Sequence, residues 1–143
     1  MKKILSALLV LILAGTAAVF ADNNKNVKES LKQYLDPAAL ETLSQKITAG
    51  EETDIVIVDV RPETAYSKAH VPGALNIPNG LTKGQYEELK SKDMVLYCET
   101  GIRVEFAKKN LEKDGYDLTR TLNFGGFSRY KGKTEPGTAA ARQ

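Results

Sequence analysis

One cysteine and one histidine are all that this chain of 143 residues offers in the way of thiol or imidazole ligands. That scarcity excludes a zinc site of the usual ligand count. It also excludes an internal disulfide and a C-x-x-C redox pair, because there is no second cysteine to close either. Internal repeats are absent. Nor is there a surplus of charge of one sign: 20 Lys and Arg face 18 Asp and Glu. Two of those lysines, Lys2 and Lys3, stand at the extreme N-terminus, and without them the two signs are equal. An even balance gives no electrostatic basis for binding nucleic acid or an anionic membrane surface.

The N-terminus itself, "MKKILSALLVLILAGTAAVFADNN", has the pattern of an export signal. Lys2 and Lys3 form a basic start, Ile4 to Ala14 an uncharged and mostly apolar core, and Val19-Phe20-Ala21 a small-residue cleavage site. A signal peptide is therefore expected over residues 1–21, with a periplasmic or secreted destination and no membrane attachment after cleavage. The competing reading is an uncleaved anchor, since the uncharged run from Ile4 to Ala21 approaches the ~20 residues a membrane helix needs. Gly15, Thr16 and the shortness of the core speak against it. No cysteine follows the apolar core, so lipid attachment is not suggested.

The polar stretch "DNNKNVKES" predicts a flexible lead-in over residues 22–33, and a folded domain is expected over residues 34–136. The small, polar residues 137–143 predict a frayed tail. In "DPAALETLSQKI", Asp36 is placed to cap a helix that starts at Pro37, and Leu40, Leu43 and Ile47 fall at helical spacing. Gly50 ends it. "DIVIVDV" (Asp54 to Val60) is a β-branched run of the kind buried on both faces of a parallel sheet. A helical turn started by Pro62, a short strand at Ala74 to Asn76 and a helix over "LTKGQYEELKSK" follow. "DMVLY" predicts a second buried strand. "IRVEFAKKNLEKDGY" predicts a helix with Val104, Ala107 and Leu111 on one face, and "DLTRTL" a third strand. "NFGGFSRY" reads as a turn into a short helix. Alternating strands and helices define an α/β class with a mainly parallel sheet.

The lone cysteine sits in "MVLYCETGIR", between a buried strand and a helix. In open α/β sheets, ligands bind beyond the carboxyl ends of the strands. Gly101 tolerates positive φ and lets the chain curl. A curled loop turns successive backbone N–H groups inward as an anion-binding nest. The N-terminus of the next helix adds partial positive charge, and Arg103 adds a cation in its first turn. All three favour negative charge on the Cys98 sulfur, the form in which cysteine is nucleophilic. The alternative is that Cys98 is a small apolar residue at a strand end.

Four pieces in order give the chain a resemblance to the single-domain rhodanese family of sulfurtransferases. "DVRPETAYSKAHVPGALNIP" resembles the family's opening signature, "VLYCETGIR" its C-x-x-G-x-R active-site loop, "LEKDGYD" the helix end before the last strand, and "LNFGGFSRYKG" its closing segment. The resemblance implies a three-layer fold with a mainly parallel central sheet flanked by helices. It implies cofactor-free transfer of a sulfane sulfur through a persulfide on Cys98, cradled by backbone N–H groups of Glu99, Thr100, Gly101, Ile102 and Arg103. Its donors are small sulfur-containing anions such as thiosulfate. Its acceptors are cyanide, a thiol or a thioredoxin-like protein. A solitary thiol suits that cycle, because a second one would discharge the persulfide as a disulfide. Relatives that act as phosphatases have one more residue in the loop, C-x5-R, and a histidine where Tyr97 stands; C-x4-R from Cys98 to Arg103 matches the sulfur-transferring branch.

Glu99 departs from the family pattern, since a carboxylate beside the cysteine repels a dianionic donor. That departure motivates a second reading, a non-catalytic module that binds a partner or senses oxidant through Cys98. Val104 departs too, where relatives carry a hydroxyl. Arg103 has two readings, contacting a donor or bracing the loop. His70 is expected to bond nearby backbone within the "HVPGA" turn. Asp59 and Arg61 follow a strand and can line the pocket; the favoured expectation is that Asp59 caps the turn and Arg61 pairs locally, with an acid such as Glu63. Phe124 to Phe127 can wall the pocket or form a tight turn. A monomer is expected.

Overall fold

The computed structural model describes residues 23–138, so the expected signal peptide lies outside the described residues. Helix α1 (Glu29–Lys32) runs into a 3₁₀ turn and is followed by α2 (Pro37–Thr48). Then come β1 (Ile55–Asp59), α3 (Glu63–Lys68), β2 (Leu75–Asn76), β3 (Asp93–Cys98), α4 (Ile102–Lys113) and β4 (Thr121–Gly126). The four strands form one parallel sheet in the order β2-β1-β3-β4. Asp36 caps α2 as its sequence predicts, its Oδ1 accepting the Ala38 N–H at 3.1 Å. No helix of the described residues is long and apolar enough to cross a membrane.

Alternate residues of a strand point to opposite faces, and both faces of this sheet are covered. Ile57, Val95, Tyr97, Leu122 and Phe124 pack against Leu40 and Leu43 of α2 on one side. Val58, Leu96 and Cys98 pack against Val104, Ala107 and Leu111 of α4 on the other. The result is the expected three-layer α/β arrangement.

Three expectations are corrected. The stretch read as a flexible lead-in is docked. Asn24 donates from Nδ2 to the Asn123 carbonyl at 2.9 Å and accepts the Asn123 N–H at 2.8 Å, while Val27 and Leu31 are buried in the core. Val27 precedes the N-cap of α1 and Leu31 lies within that helix, so no helical period marks the pair among the polar residues around them. The helix expected over residues 81–92 reduces to a 3₁₀ turn at Glu87–Ser91, because Lys83, Gly84 and Tyr86 all take positive φ. The last strand begins later and runs further than expected, Thr121 to Gly126 rather than ending at Leu122. Residues 118–120 form a 3₁₀ turn instead.

Candidate active site

Cys98 is the last residue of β3, and Gly101 caps α4 three residues on. The loop between them closes because Gly101 takes a φ of 92°, in the left-handed region that costs a side-chain-bearing residue. The turn brings the Gly101 N–H to 2.9 Å from the Cys98 sulfur, to which it donates. The Ile102 N–H is directed to the Thr100 hydroxyl at 3.4 Å. First-turn N–H groups of a helix have no intrahelical acceptor, and this end of α4, with the positive end of its dipole, stands next to the sulfur.

The loop rests on β4. A register shift between Leu96 and Tyr97 skips Phe124, so that Tyr97 pairs with Gly125 and Cys98 with Gly126. At Gly126 a side chain has no room: a Cβ would fall 2.5 Å from the Glu99 carbonyl oxygen. Asn123, fully buried, donates from Nδ2 to the Gly101 carbonyl at 3.1 Å and to Glu105 Oε1 at 2.7 Å, tying loop to helix. The pair of glycines is therefore the strand end that backs the loop, not a turn.

Below the loop lies a buried charge pair. Asp59 ends β1 with no exposed surface, and Arg61 is 3% exposed. Asp59 caps its turn as expected, accepting the Arg61 N–H at 2.9 Å. The arginine side chain pairs locally as expected, but its acid is Asp59. Its Nε lies 3.0 Å from both Asp59 oxygens and its Nη2 2.7 Å from Oδ2 and 2.7 Å from the Ala69 carbonyl. Its Nη1 reaches Glu99 at 3.3 Å, and the guanidinium lies 4.1 Å from the Phe127 ring centroid. Glu63 is not its partner. Burial works against the guanidinium charge, but hydrogen bonding and attraction from Asp59 outweigh it and raise Arg61 above its usual value. Tyr97 is pushed up as well, first by burial and then by the Asp59 charge.

Arg61, Pro62, Ala65, Cys98, Glu99, Thr100 and Arg103 line an open pocket of about 400 Å³. Cys98 has no exposed surface, so its sulfur is at the pocket floor, reached only past these side chains. Glu99 projects outward with its side chain 66% exposed, while its carboxylate meets Arg61. Arg103 is exposed at the rim, and among the described residues no carboxylate or carbonyl braces it. Ile102 points outward, 66% exposed. His70 is elsewhere: Nδ1 meets the Tyr66 carbonyl at 2.9 Å and the ring stacks on Tyr66, as expected for the turn. Among the described residues, no three His, Cys, Asp or Glu side chains come together as a metal site. Reasoning from sequence missed Asn123, and it raised Arg61 and Gly126 only as residues that could line the pocket. The signal that raised Arg61 was its place just beyond a strand end; Asn123, inside a strand, offered none.

A family model for the rhodanese-like domain matches residues 39–133. The chain belongs to the rhodanese-like family. It is 34% identical over 99 residues to a Bacillus subtilis protein named, provisionally, as the sulfur carrier YrkF, covering 68% of this chain and 51% of that one. The chain thus spans about half the length of that relative. It is 34% identical over 87 residues to a sulfurtransferase of Allochromatium vinosum, covering 60% of this chain and 78% of that protein. Among solved structures it resembles a rhodanese with anions from E. coli, with 29% identity, a TM-score of 0.50, and coverage of 58% of this chain and 99% of the other.

Proposed function

We propose that the protein is an exported sulfurtransferase in which Cys98 carries sulfane sulfur as a persulfide. What carries this reading is the 2.9 Å approach of the Gly101 N–H to the Cys98 sulfur at the floor of an open pocket. A sulfur that accepts a loop N–H beside a helix N-terminus, at the carboxyl end of a parallel sheet, is held where negative charge is stabilised. The Cys98 thiolate attacks the outer sulfur of a donor such as thiosulfate. The donor's S–S bond breaks, its electron pair leaves with sulfite, and a persulfide remains on Cys98. Cyanide or a thiol then attacks the terminal sulfur, and the electron pair of that bond returns to Cys98. The backbone N–H groups of Glu99 to Arg103 cradle the terminal sulfur through both halves, and Arg103 at the rim attracts the anionic donor. No cofactor is needed, because the same sulfur atom is nucleophile, carrier and leaving group.

Intact mass of the purified protein after incubation with thiosulfate tests this. One added sulfur atom on Cys98, lost on addition of cyanide with release of thiocyanate, supports it. Absence of the adduct, or undiminished turnover in Cys98→Ser, overturns it. An oxidant sensor instead gives no sulfur adduct with thiosulfate and a sulfenic or mixed-disulfide adduct on Cys98 under peroxide. Export is tested separately by the N-terminal sequence of the protein recovered from its native cells, expected to begin at Asp22.

A further inference from the structure

Residues 23–31 lie outside the stretch matched by the family model, residues 39–133, yet they reach towards the loop that holds Cys98. β4 is the edge strand of the sheet among the described residues. An edge strand presents main-chain N–H and C=O groups with no neighbouring strand to bond them. At Asn123 one side chain takes both. The Asn24 amide accepts the Asn123 N–H at 2.8 Å and donates to the Asn123 carbonyl at 2.9 Å, standing in for a further strand. Both asparagines are buried, so solvent does not make good a bond that is lost. The strap is held on either side of this contact. The Asn23 carbonyl accepts from Lys108 of α4 at 3.4 Å, and the Lys28 N–H donates to the Thr119 carbonyl at 2.8 Å.

Asn123 passes this anchoring on. Its Nδ2 donates to the Gly101 carbonyl at 3.1 Å and to Glu105 Oε1 at 2.7 Å, and its Oδ1 accepts the Gly125 N–H at 2.9 Å. Both main-chain groups and both ends of the side-chain amide are engaged, so the residue cannot turn without breaking a buried bond. Gly101 needs such a hold. Glycine takes many backbone conformations at little cost, so its own torsions do not fix the loop. Peptide units are planar, and a bonded Gly101 carbonyl fixes the plane of the unit that follows. That leaves little swing for the Gly101 N–H, which donates to the Cys98 sulfur.

We infer that the strap belongs to the active site: Asn24 is a positioning residue that acts through Asn123 to hold the Gly101 N–H on the Cys98 sulfur. The inference rests on Cys98 being the persulfide carrier. In that cycle the Cys98 sulfur bears negative charge as nucleophile and again as leaving group. A donor already in place stabilises the charge without reorganising. Asn24 is not among the residues that line the pocket, so the strap acts on turnover and not on donor binding.

The test is Asn24→Ala, with Leu89→Ala as a control that empties a buried position beyond the opposite end of β3 from Cys98. Asn24→Ala should lower kcat for sulfur transfer from thiosulfate to cyanide by about threefold to tenfold, the worth of one hydrogen bond. KM for thiosulfate should stay unchanged. Leu89→Ala should lower the melting temperature at least as far and keep kcat. Asn123→Ala should lower kcat by more than Asn24→Ala does. Adding Asn24→Ala to it should take nothing further away, because a residue that acts through another has no effect once the other is gone. An unchanged kcat in Asn24→Ala, an equal fall in Leu89→Ala, or additive losses in the double variant overturns the inference. So does a rise in KM alone, which would make the strap a wall of the donor site. If no sulfur loads on Cys98, the carrier reading fails by itself. NMR of the unloaded protein still decides the strap: the Gly101 amide resonance should move in Asn24→Ala and hold its place in Leu89→Ala, and a resonance that holds its place in both overturns the inference.

Discussion

Gly126 lies against Glu99 so closely that any side chain at position 126 would collide with the carbonyl oxygen of the loop holding Cys98. The strand end and the loop therefore set one another's position. Gly126→Ala must push the Glu99 carbonyl away by altering the loop, because the strand is anchored by its pairing with β3. Overpacking of this kind costs about 1–3 kcal/mol. Sulfur transfer to cyanide should fall by more than the stability loss explains, since the Gly101 N–H moves with the loop. Urea unfolding and steady-state kinetics on the same preparation separate the two effects; unchanged kinetics with reduced stability would remove the loop from the account.

Glu99 sets a negative charge beside the mouth, where the donor must enter. Its side chain is 66% exposed and faces Arg61, so its effect on a dianion is screened. Exposed ion pairs are worth about 0.2–1 kcal/mol, which limits the effect to roughly fivefold. Glu99→Gln should raise kcat/KM for thiosulfate within that limit and leave a neutral sulfane donor unaffected. The gain should shrink in high salt. A gain with the neutral donor as well would mean that the substitution opens the pocket rather than relieving repulsion.

Much of this arrangement is legible from the sequence because local chemistry and tertiary context agree. The runs around Val58 and Leu96 are apolar on both faces and become central strands; Asp36 and Pro37 begin a helix as their chemistry dictates. The position of Cys98 between strand and helix is a spacing argument and needs no contacts. Arg61 is different. Nothing local distinguishes Glu63 from Asp59 as its partner, and its link to Glu99 joins residues 38 positions apart. The end of β4 is not legible for a related reason. Glycine pairs argue for a turn, and only the approach of Glu99 from β3 explains why glycine is needed in a strand. The docking of the lead-in is hidden because two buried side chains and one asparagine hold a segment whose average composition is polar.

Breaking the Asp59–Arg61 pair should be the most damaging change near the site. Arg61→Leu leaves the Asp59 carboxylate without its bidentate partner, at a position with no exposed surface. Removing one member of a buried pair costs about 3–5 kcal/mol. Arg61→Lys keeps the charge but lacks the fork that spans both Asp59 oxygens and the Ala69 carbonyl, so it should also be destabilising, though less. Combining Arg61→Leu with Asp59→Asn should recover part of the loss. Chemical unfolding of the wild type, Arg61→Leu, Asp59→Asn and the double variant gives the coupling; additive costs would show that the pair is not a unit.

Alkaline pH should unfold the protein through its tyrosines. Tyr97, Tyr66, Tyr130 and Tyr34 are all pushed above the usual phenol value, with burial the leading cause, and Tyr116 is pushed up to about 12. Burial and neighbouring carboxylates both disfavour the phenolate. The folded state therefore holds these protons more tightly than the unfolded state does. Below about pH 10 both states keep them and stability is unaffected by these groups. Above it the unfolded chain loses protons first, so stability falls as pH rises towards 12. Melting temperature should decline across that interval while phenolate absorbance appears together with unfolding rather than before it. In Tyr116→Phe the decline should be shallower, even though the variant loses the hydrogen bond to the Tyr86 carbonyl and starts less stable. Phenolate absorbance that rises fully while the fold persists would contradict the burial of these hydroxyls.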